Sequence, residues 1–244
     1  MRVAIVSDIH SNLAAFEAVL GHARAGGRVD ALWCLGDIVG YGPFPNECIA
    51  LLRTYDCRVV AGNHDLAACG RMGTEEFNGA AAQAAEWTLA QLTPQARSYL
   101  SELPLTACES DFTFVHGSLR WPEWEYLLSS EQAQAHFELQ ETPYGLVGHS
   151  HLPLVCHEQP PGPPALRPAA DGERVALGDE RLILNPGGVG QPRDGDPRAA
   201  YALLDSDARV VTYHRVEYDI AATQQAMEAA RLPRWLIDRL SEGR

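Results

Sequence analysis

Residues 2–12 read Arg2-Val3-Ala4-Ile5-Val6-Ser7-Asp8-Ile9-His10-Ser11-Asn12, and this stretch decides the fold. Its first half is apolar and β-branched, the pattern of a buried strand. Asp8 to Asn12 is a polar turn. Leu13, Phe16, Leu20 and Ala23 then recur at helical spacing, with Ser11 or Asn12 as N-cap, and Gly26-Gly27 ends the helix. The same unit recurs downstream. Residues 30–35 form a second strand leading to Gly36-Asp37, and residues 45–53 a helix. Residues 57–61 form a third strand leading to Gly62-Asn63-His64-Asp65. This alternation predicts an α/β layer architecture, whose chemistry lies beyond the carboxyl ends of the strands.

Residues 74–103 are Ala-rich and helical in pattern, broken at Thr93-Pro94. Residues 112–115 read as a strand ending at His116, residues 130–139 as a helix, and residues 144–147 as a strand ending at Gly148-His149-Ser150-His151. The texture then changes. Residues 154–157, 181–184, 200–204 and 210–216 are strands without intervening helices, which suggests a second, largely antiparallel sheet. Residues 159–168 hold five of the sixteen prolines and read as a loop or hairpin tip. Helices over 219–230 and 233–240 close the chain. The expectation is one domain over residues 1–244 with two packed sheets.

Bulk properties narrow the function. The chain has 244 residues and a net charge of −13, and its 19 basic residues are all arginine. Without lysine there is no P-loop lysine, Schiff-base lysine or lysine general base. Counterion release on nucleic acid needs clustered cations, and none are visible, so stable nucleic-acid binding is not expected. No apolar run approaches the ~20 residues that span a bilayer. The acidic start after Val6 is unlike a secretory signal, so the expected location is cytoplasmic. The six cysteines form no Cys-x-x-Cys pair and are read as reduced.

The polar residues at the strand ends carry the chemistry. Asp8 and His10, two apart, point to one side, and so do His149 and His151. Asn63-His64-Asp65 supplies three polar groups where a helix cap needs one. Singly, each motif has a plainer reading: Asp8 as a helix cap, Asp65 as a helix N-terminal charge, a lone His116 as a structural histidine. Together they place carboxylate, amide and imidazole donors at one sheet edge, enough for two metal ions, which is equipment for phosphoester hydrolysis.

The ordered set Asp8-x-His10, Gly36-Asp37, Gly62-Asn63-His64-Asp65, His116 and Gly148-His149-x-His151 resembles the calcineurin-like metallophosphoesterase superfamily. The resemblance covers roughly residues 2–190. Residues 7–12, 36–43 and Asn185-Pro186-Gly187, with Gly188 in place of that segment's usual serine, resemble its small single-domain bacterial and archaeal phosphodiesterase-like branch. It implies a four-layer α-β-β-α sandwich of two packed mixed sheets flanked by helices.

It also implies a ligand set. Asp8, His10, Asp37 and His151 would hold one ion, and Asp37, Asn63, His116 and His149 the other. Asp37 would bridge through its two oxygens. Such N/O donors without thiolate suit Mn²⁺, Fe²⁺, Co²⁺, Zn²⁺ or Ni²⁺ better than Mg²⁺ or Ca²⁺, and Mn²⁺ or Fe²⁺ is the first expectation. The implied reaction is hydrolysis of a phosphodiester by a metal-bridging hydroxide, with His64 as general acid and Asp65 orienting it. Asn12 and Arg193 are candidate phosphate contacts. Trp121, Trp124 and Tyr126 read as aromatic core or as the wall of a pocket for a nucleobase or aryl group. The expected partner is a small phosphoester, nucleotides included, and a homo-oligomer is compatible with the chain.

Two rival readings stand beside it. Protein phosphatases and dinucleoside-polyphosphate hydrolases of the superfamily carry Asp-Arg-Gly after Gly-Asp and an Arg before Gly-Asn-His-Glu. Here Ile38-Val39-Gly40 and Ala61 occupy those places. Non-catalytic scaffolds such as the retromer subunit of this fold have no need of His64.

Overall fold

The computed structural model describes residues 1–244. Three strands, β1 (Arg2–Val6), β2 (Ala31–Cys34) and β3 (Cys57–Val59), are linked by helices α1 (Leu13–Ala25) and α2 (Pro45–Leu52). Then come α3 (Asn63–Cys69), α4 (Gly79–Gln91), α5 (Pro94–Glu102), β4 (Thr106–Glu109), β5 (Phe112–Val115), α6 (Ser130–Leu139) and β6 (Tyr144–Leu146). Strands β7 (Pro153–His157), β8 (Ala165–Pro168), β9 (Arg174–Ala176), β10 (Leu182–Pro186), β11 (Ala199–Asp205) and β12 (Val210–Val216) follow. Helices α7 (Ile220–Ala229) and α8 (Arg234–Asp238) and a 3₁₀ turn over Arg239–Ser241 complete the chain.

The strands form two six-stranded mixed sheets, ordered β3-β2-β1-β11-β12-β9 and β4-β5-β6-β10-β7-β8. Strands β1, β2 and β3 run parallel, as do β5, β6 and β10. Alternation along β1 shows the layering. Val3 and Ile5 face the second sheet and pack with Phe114, Tyr144 and Leu184. Ala4 and Val6 face outward and pack with Phe16 and Leu20 of α1. On the far side Val115, Cys156 and Ile183 pack against Ala133 and Phe137 of α6. The result is the expected α-β-β-α sandwich. Fully burying one such aliphatic or aromatic side chain contributes about 1.5–3 kcal/mol. A one-residue slip of β1 would exchange its two faces, so its register is strongly specified.

The late strands depart from the expected partition. They do not make a sheet of their own: β9, β11 and β12 extend the first sheet, and β7, β8 and β10 the second. β11 runs antiparallel to β1 from Arg2↔Asp205 to Ile5↔Ala202, so the C-terminal third completes the sheet that the N-terminus begins. Residues 165–168, expected to be loop, form edge strand β8, where Pro168 is tolerated because one side of the strand needs no ladder bond. The segment expected to be helical from residue 74 becomes helix only at Gly79, where the Asn78 side chain accepts from the Ala81 amide. The short edge strands β4 and β9 were not foreseen; both are too short for a clear period.

Candidate metal centre

Every strand-end motif converges on one edge of the sandwich. Asp8 follows β1, Asp37 follows β2, Asn63 follows β3, His116 follows β5, and His149 follows β6. Five of these candidate ligands have left-handed backbone: Asp8 (φ 54°), His10 (49°), Asp37 (53°), His149 (62°) and His151 (59°). Each such residue costs on the order of 1–3 kcal/mol, and such strain collects at functional sites. Backbone bonds between motifs hold it. The amides of Asp8 and His10 donate to the carbonyls of Gly36 and Asp37 at 3.0 and 2.9 Å, and Gly190 donates to Asp8 at 2.9 Å. Gly62 is required by close approach, because a Cβ there would stand 2.1 Å from Asp37 Oδ1.

The candidate ligands are fully or nearly fully buried. One group comprises Asp8, His10 and His151, a second Asp37, His116 and His149; in each, the donor atoms lie within 4.8 Å of one another. A third group, His10, Asp37 and His64, ties the first two together. Asp37 Oδ2 stands 3.7 Å from His10 Nε2 and 3.3 Å from His116 Nε2. Its other oxygen accepts from the His64 amide at 2.9 Å. Oδ2 is thus the Asp37 oxygen nearest the histidines of both groups, while Oδ1 is engaged by the His64 amide.

Each imidazole has one nitrogen fixed by a backbone carbonyl. His10 Nδ1 donates to Val39 (3.1 Å), His116 Nδ1 to Leu35 (2.8 Å), His149 Nε2 to Trp124 (3.0 Å) and His151 Nδ1 to Gln191. The remaining ring nitrogens point inward. His10 Nε2 and His151 Nε2 lie 3.2 Å apart, and His116 Nε2 and His149 Nδ1 3.1 Å apart. Acceptors this close need a proton or a cation between them. Asp8 Oδ1 and Asn63 Oδ1 are buried with no hydrogen-bond partner. A second, tautomer-fixing bond on each histidine is what metal-binding imidazoles carry. The donor set fits metal.

Charge among the protein groups is concentrated on one pair. Burial would raise Asp37, but the charge and hydrogen bond of His116 hold it below the usual carboxylate range. Burial would lower His116, and Asp37 overcomes it, pushing the imidazole up to about 9. Burial raises Asp8 to about 6 and pushes His149 down to about 3. It drives His10 and His151 well below the ordinary range.

The remaining expectations separate. His64 is buried and lowered by burial to about 4; its Nδ1 has no partner. Its ring is clamped by Tyr41 (centroids 4.3 Å), His10 (4.9 Å) and Phe77 (4.8 Å). Asp65 does not orient it. The Asp65 carboxylate accepts from the Val39 and Gly62 amides, both at 3.1 Å, capping α3 and stapling the residue 39 loop. Asn12 is corrected likewise. Its Oδ1 caps Ala15 and accepts from Thr223, one hydrogen of its Nδ2 donates to Gly190 at 2.9 Å, and it does not line the cavity over the centre. Arg193 does reach the centre's cavity, with its guanidinium 5.9 Å from the Tyr41 ring and Nε unpartnered. The four histidines outside the motifs, at positions 22, 136, 157 and 214, lie outside this constellation.

A cavity of about 300 Å³ opens over the centre. Asp37, Asn63, His64, His149 and His151 line its inner side. Trp124 and Tyr126 line the outer side, so the core reading fails for them; Trp121 is an exposed neighbour. Phe77 and Glu76 also line it and went unread, because they fall in a stretch taken for helix. The Asn78-Gly79 cap was the signal that would have ended that helix early.

The family model for the calcineurin-like phosphoesterase superfamily domain matches residues 1–209, and the chain belongs to that superfamily. Membership supports phosphoester hydrolysis as its class of chemistry. A solved metallophosphoesterase from Sphaerobacter thermophilus is 48% identical, with a TM-score of 0.90 over 100% of this chain and 99% of that one. An uncharacterised protein of Methanocaldococcus jannaschii is 38% identical over 99% of this chain and 98% of its own length. The symmetrical bis(5′-nucleosyl)-tetraphosphatase of Vibrio cholerae is 29% identical over 53% of this chain and 49% of its own.

Proposed function

We propose that the chain is a phosphodiester hydrolase that works with two divalent transition-metal ions. One observation carries this reading: two groups of inward-facing donors share Asp37 Oδ2 on the floor of a cavity. Asp8, His10, Asp37 and His151 would hold one ion, and Asp37, Asn63, His116 and His149 the other. When bound, such a pair lowers the pKa of water and stabilises the charge developing on the attacking and leaving oxygens. The donors are nitrogen and oxygen without thiolate, a set that suits Mn²⁺, Fe²⁺, Co²⁺, Zn²⁺ or Ni²⁺ better than Mg²⁺ or Ca²⁺, and we take Mn²⁺ or Fe²⁺ first.

The chain's own groups do the rest. Arg193 binds a non-bridging phosphate oxygen. Its fork suits that geometry, and the buried, unpartnered Nε shows spare donor capacity. His64 gives a proton to the leaving alkoxide. Burial keeps it neutral in isolation, and an anionic ester beside it raises its affinity for the proton. Phe77 and Tyr41 hold the ring in place.

A second reading, hydrolysis of dinucleoside polyphosphates, is favoured by the likeness to the Vibrio enzyme over about half of each chain. The cavity of about 300 Å³ lies at the small end for a ligand site, and Arg193 is the one cation lining it. Both weigh toward a diester with a single phosphate. The test is a Mn²⁺-supplemented panel of bis(4-nitrophenyl) phosphate, 4-nitrophenyl phosphate, 2′,3′- and 3′,5′-cyclic nucleotides, a dinucleoside tetraphosphate and a phosphopeptide. Diesters should be cleaved with the highest kcat/KM. Faster cleavage of the tetraphosphate would favour the second reading, and no hydrolysis with any of the five metals would overturn both.

A further inference from the structure

The outer wall of the cavity has a chemistry that the catalytic groups leave unused. Tyr126 lies flat on the His149 ring, at 4.1 Å between centroids and 14° between planes, yet remains 41% exposed. One face of the phenol is covered and the other is open. Trp124 stands edge-on to Phe77 at 5.1 Å and 72°, so Phe77, Trp124, His149 and Tyr126 make one run of ring contacts along the cavity.

The wall is rigidly mounted. The Trp124 carbonyl accepts from His149 Nε2 at 3.0 Å. The Gly117 amide donates to the Pro122 carbonyl, and Glu125 is gripped by both Ser118 and Arg120. A preorganised aromatic surface binds a planar ligand without first losing its own freedom.

Glu76 and Asn78, the chain neighbours of Phe77, line the same cavity. Asn78 spends its Oδ1 on the Ala81 amide and keeps its NH₂ available as a donor. The exposed Glu76 carboxylate can only accept. It repels any phosphate beyond the one at the centre and attracts N–H groups. Stacking surface, one acceptor and one donor together match the face and edge of a nucleobase.

We propose that this wall is a nucleobase subsite. Tyr126, Trp124 and Phe77 stack the base, Glu76 and Asn78 bond its edge, and Glu76 selects nucleoside phosphodiesters over nucleoside polyphosphates. The inference rests on the phosphodiesterase reading and names the substrate class within it.

Two measurements test it. Calorimetry on metal-stripped protein compares AMP and GMP with ribose 5-phosphate. The base should tighten binding by about tenfold or more, as stacking on aromatics does elsewhere. Tyr126→Ala should remove most of that gain, and Glu76→Gln should tighten ADP relative to AMP. With Mn²⁺ present, thymidine 5′-(4-nitrophenyl phosphate) should have at least about tenfold the kcat/KM of methyl 4-nitrophenyl phosphate, chiefly through KM. Equal affinity for AMP and ribose 5-phosphate, with equal kcat/KM for the two esters, would overturn the subsite and leave the hydrolase standing. Tight AMP binding, lost in Tyr126→Ala, in a protein that cleaves no ester would uphold the subsite and overturn the hydrolase.

Discussion

Gly62→Ala probes the centre without touching a proposed ligand. The backbone at Gly62 (φ −96°, ψ 173°) accepts alanine, so the effect is purely steric. The new Cβ would stand 2.1 Å from Asp37 Oδ1 and 2.6 Å from the Asp37 amide nitrogen, where ordinary contact begins at 3.4 Å. The carboxylate must move by roughly 1 Å or more, about twice the ~0.5 Å tolerance of a working constellation. That shift breaks the 2.9 Å bond from the His64 amide and takes Oδ2 away from both donor groups. Overpacking of this kind costs about 1–3 kcal/mol, so Tm should fall by roughly 3–10 °C while the fold survives. Affinity for both ions should fall together, by about tenfold or more. The assay is calorimetric titration of stripped protein with Mn²⁺, alongside thermal unfolding. Wild-type affinity at two sites would refute the steric argument. Loss of one site alone would refute the sharing of Asp37.

Three further outcomes are expected. Gly21→Ala lies on α1 with nothing within 4 Å of the new Cβ, so it should raise stability by about 0.5–1 kcal/mol with metal content unchanged, read as a higher Tm. His64→Ala should lower turnover by about 100-fold or more while two ions remain bound, because the His64 amide that holds Asp37 is retained; loss of metal in parallel would make His64 a ligand. His136 is buried beneath the residue 119 amide, and burial holds it down at about 4, below its ordinary value of 6.5. Its contribution to stability is therefore complete above about pH 6.5 and declines as the pH falls toward 4, by up to about 3 kcal/mol. Urea unfolding at pH 7 and 4.5 should show a smaller decline for His136→Gln than for wild type.

The parallel half of each sheet was legible because β1, β2, β5 and β6 are short apolar runs that each end in a polar motif. The pairing of β11 with β1 was not, since it joins residues 2–5 to residues 202–205 and no local pattern encodes so distant a partner. Residues 165–168 misled through Pro168 and the four prolines just before them, which disfavour a central strand but not an edge. At the centre the ligand types and their strand-end positions could be read directly. The work of Asp65 and Asn12 could not. Each is a polar residue at a helix start, where a cap and a catalytic group have the same sequence, and only the bonds to Val39, Gly62, Gly190 and Thr223 separate them. The aromatic wall was visible as Trp124 and Tyr126 but lacked Phe77, which is brought to it from more than forty residues upstream.

In the proposed centre, one oxygen of Asp37 joins two metal positions. Crystals grown with Mn²⁺, with diffraction recorded at the manganese absorption edge, test it most directly. Two anomalous peaks should flank Asp37 Oδ2, one among Asp8, His10 and His151 and the other among Asn63, His116 and His149. A single peak, or peaks that leave Asp37 uncoordinated, would contradict it.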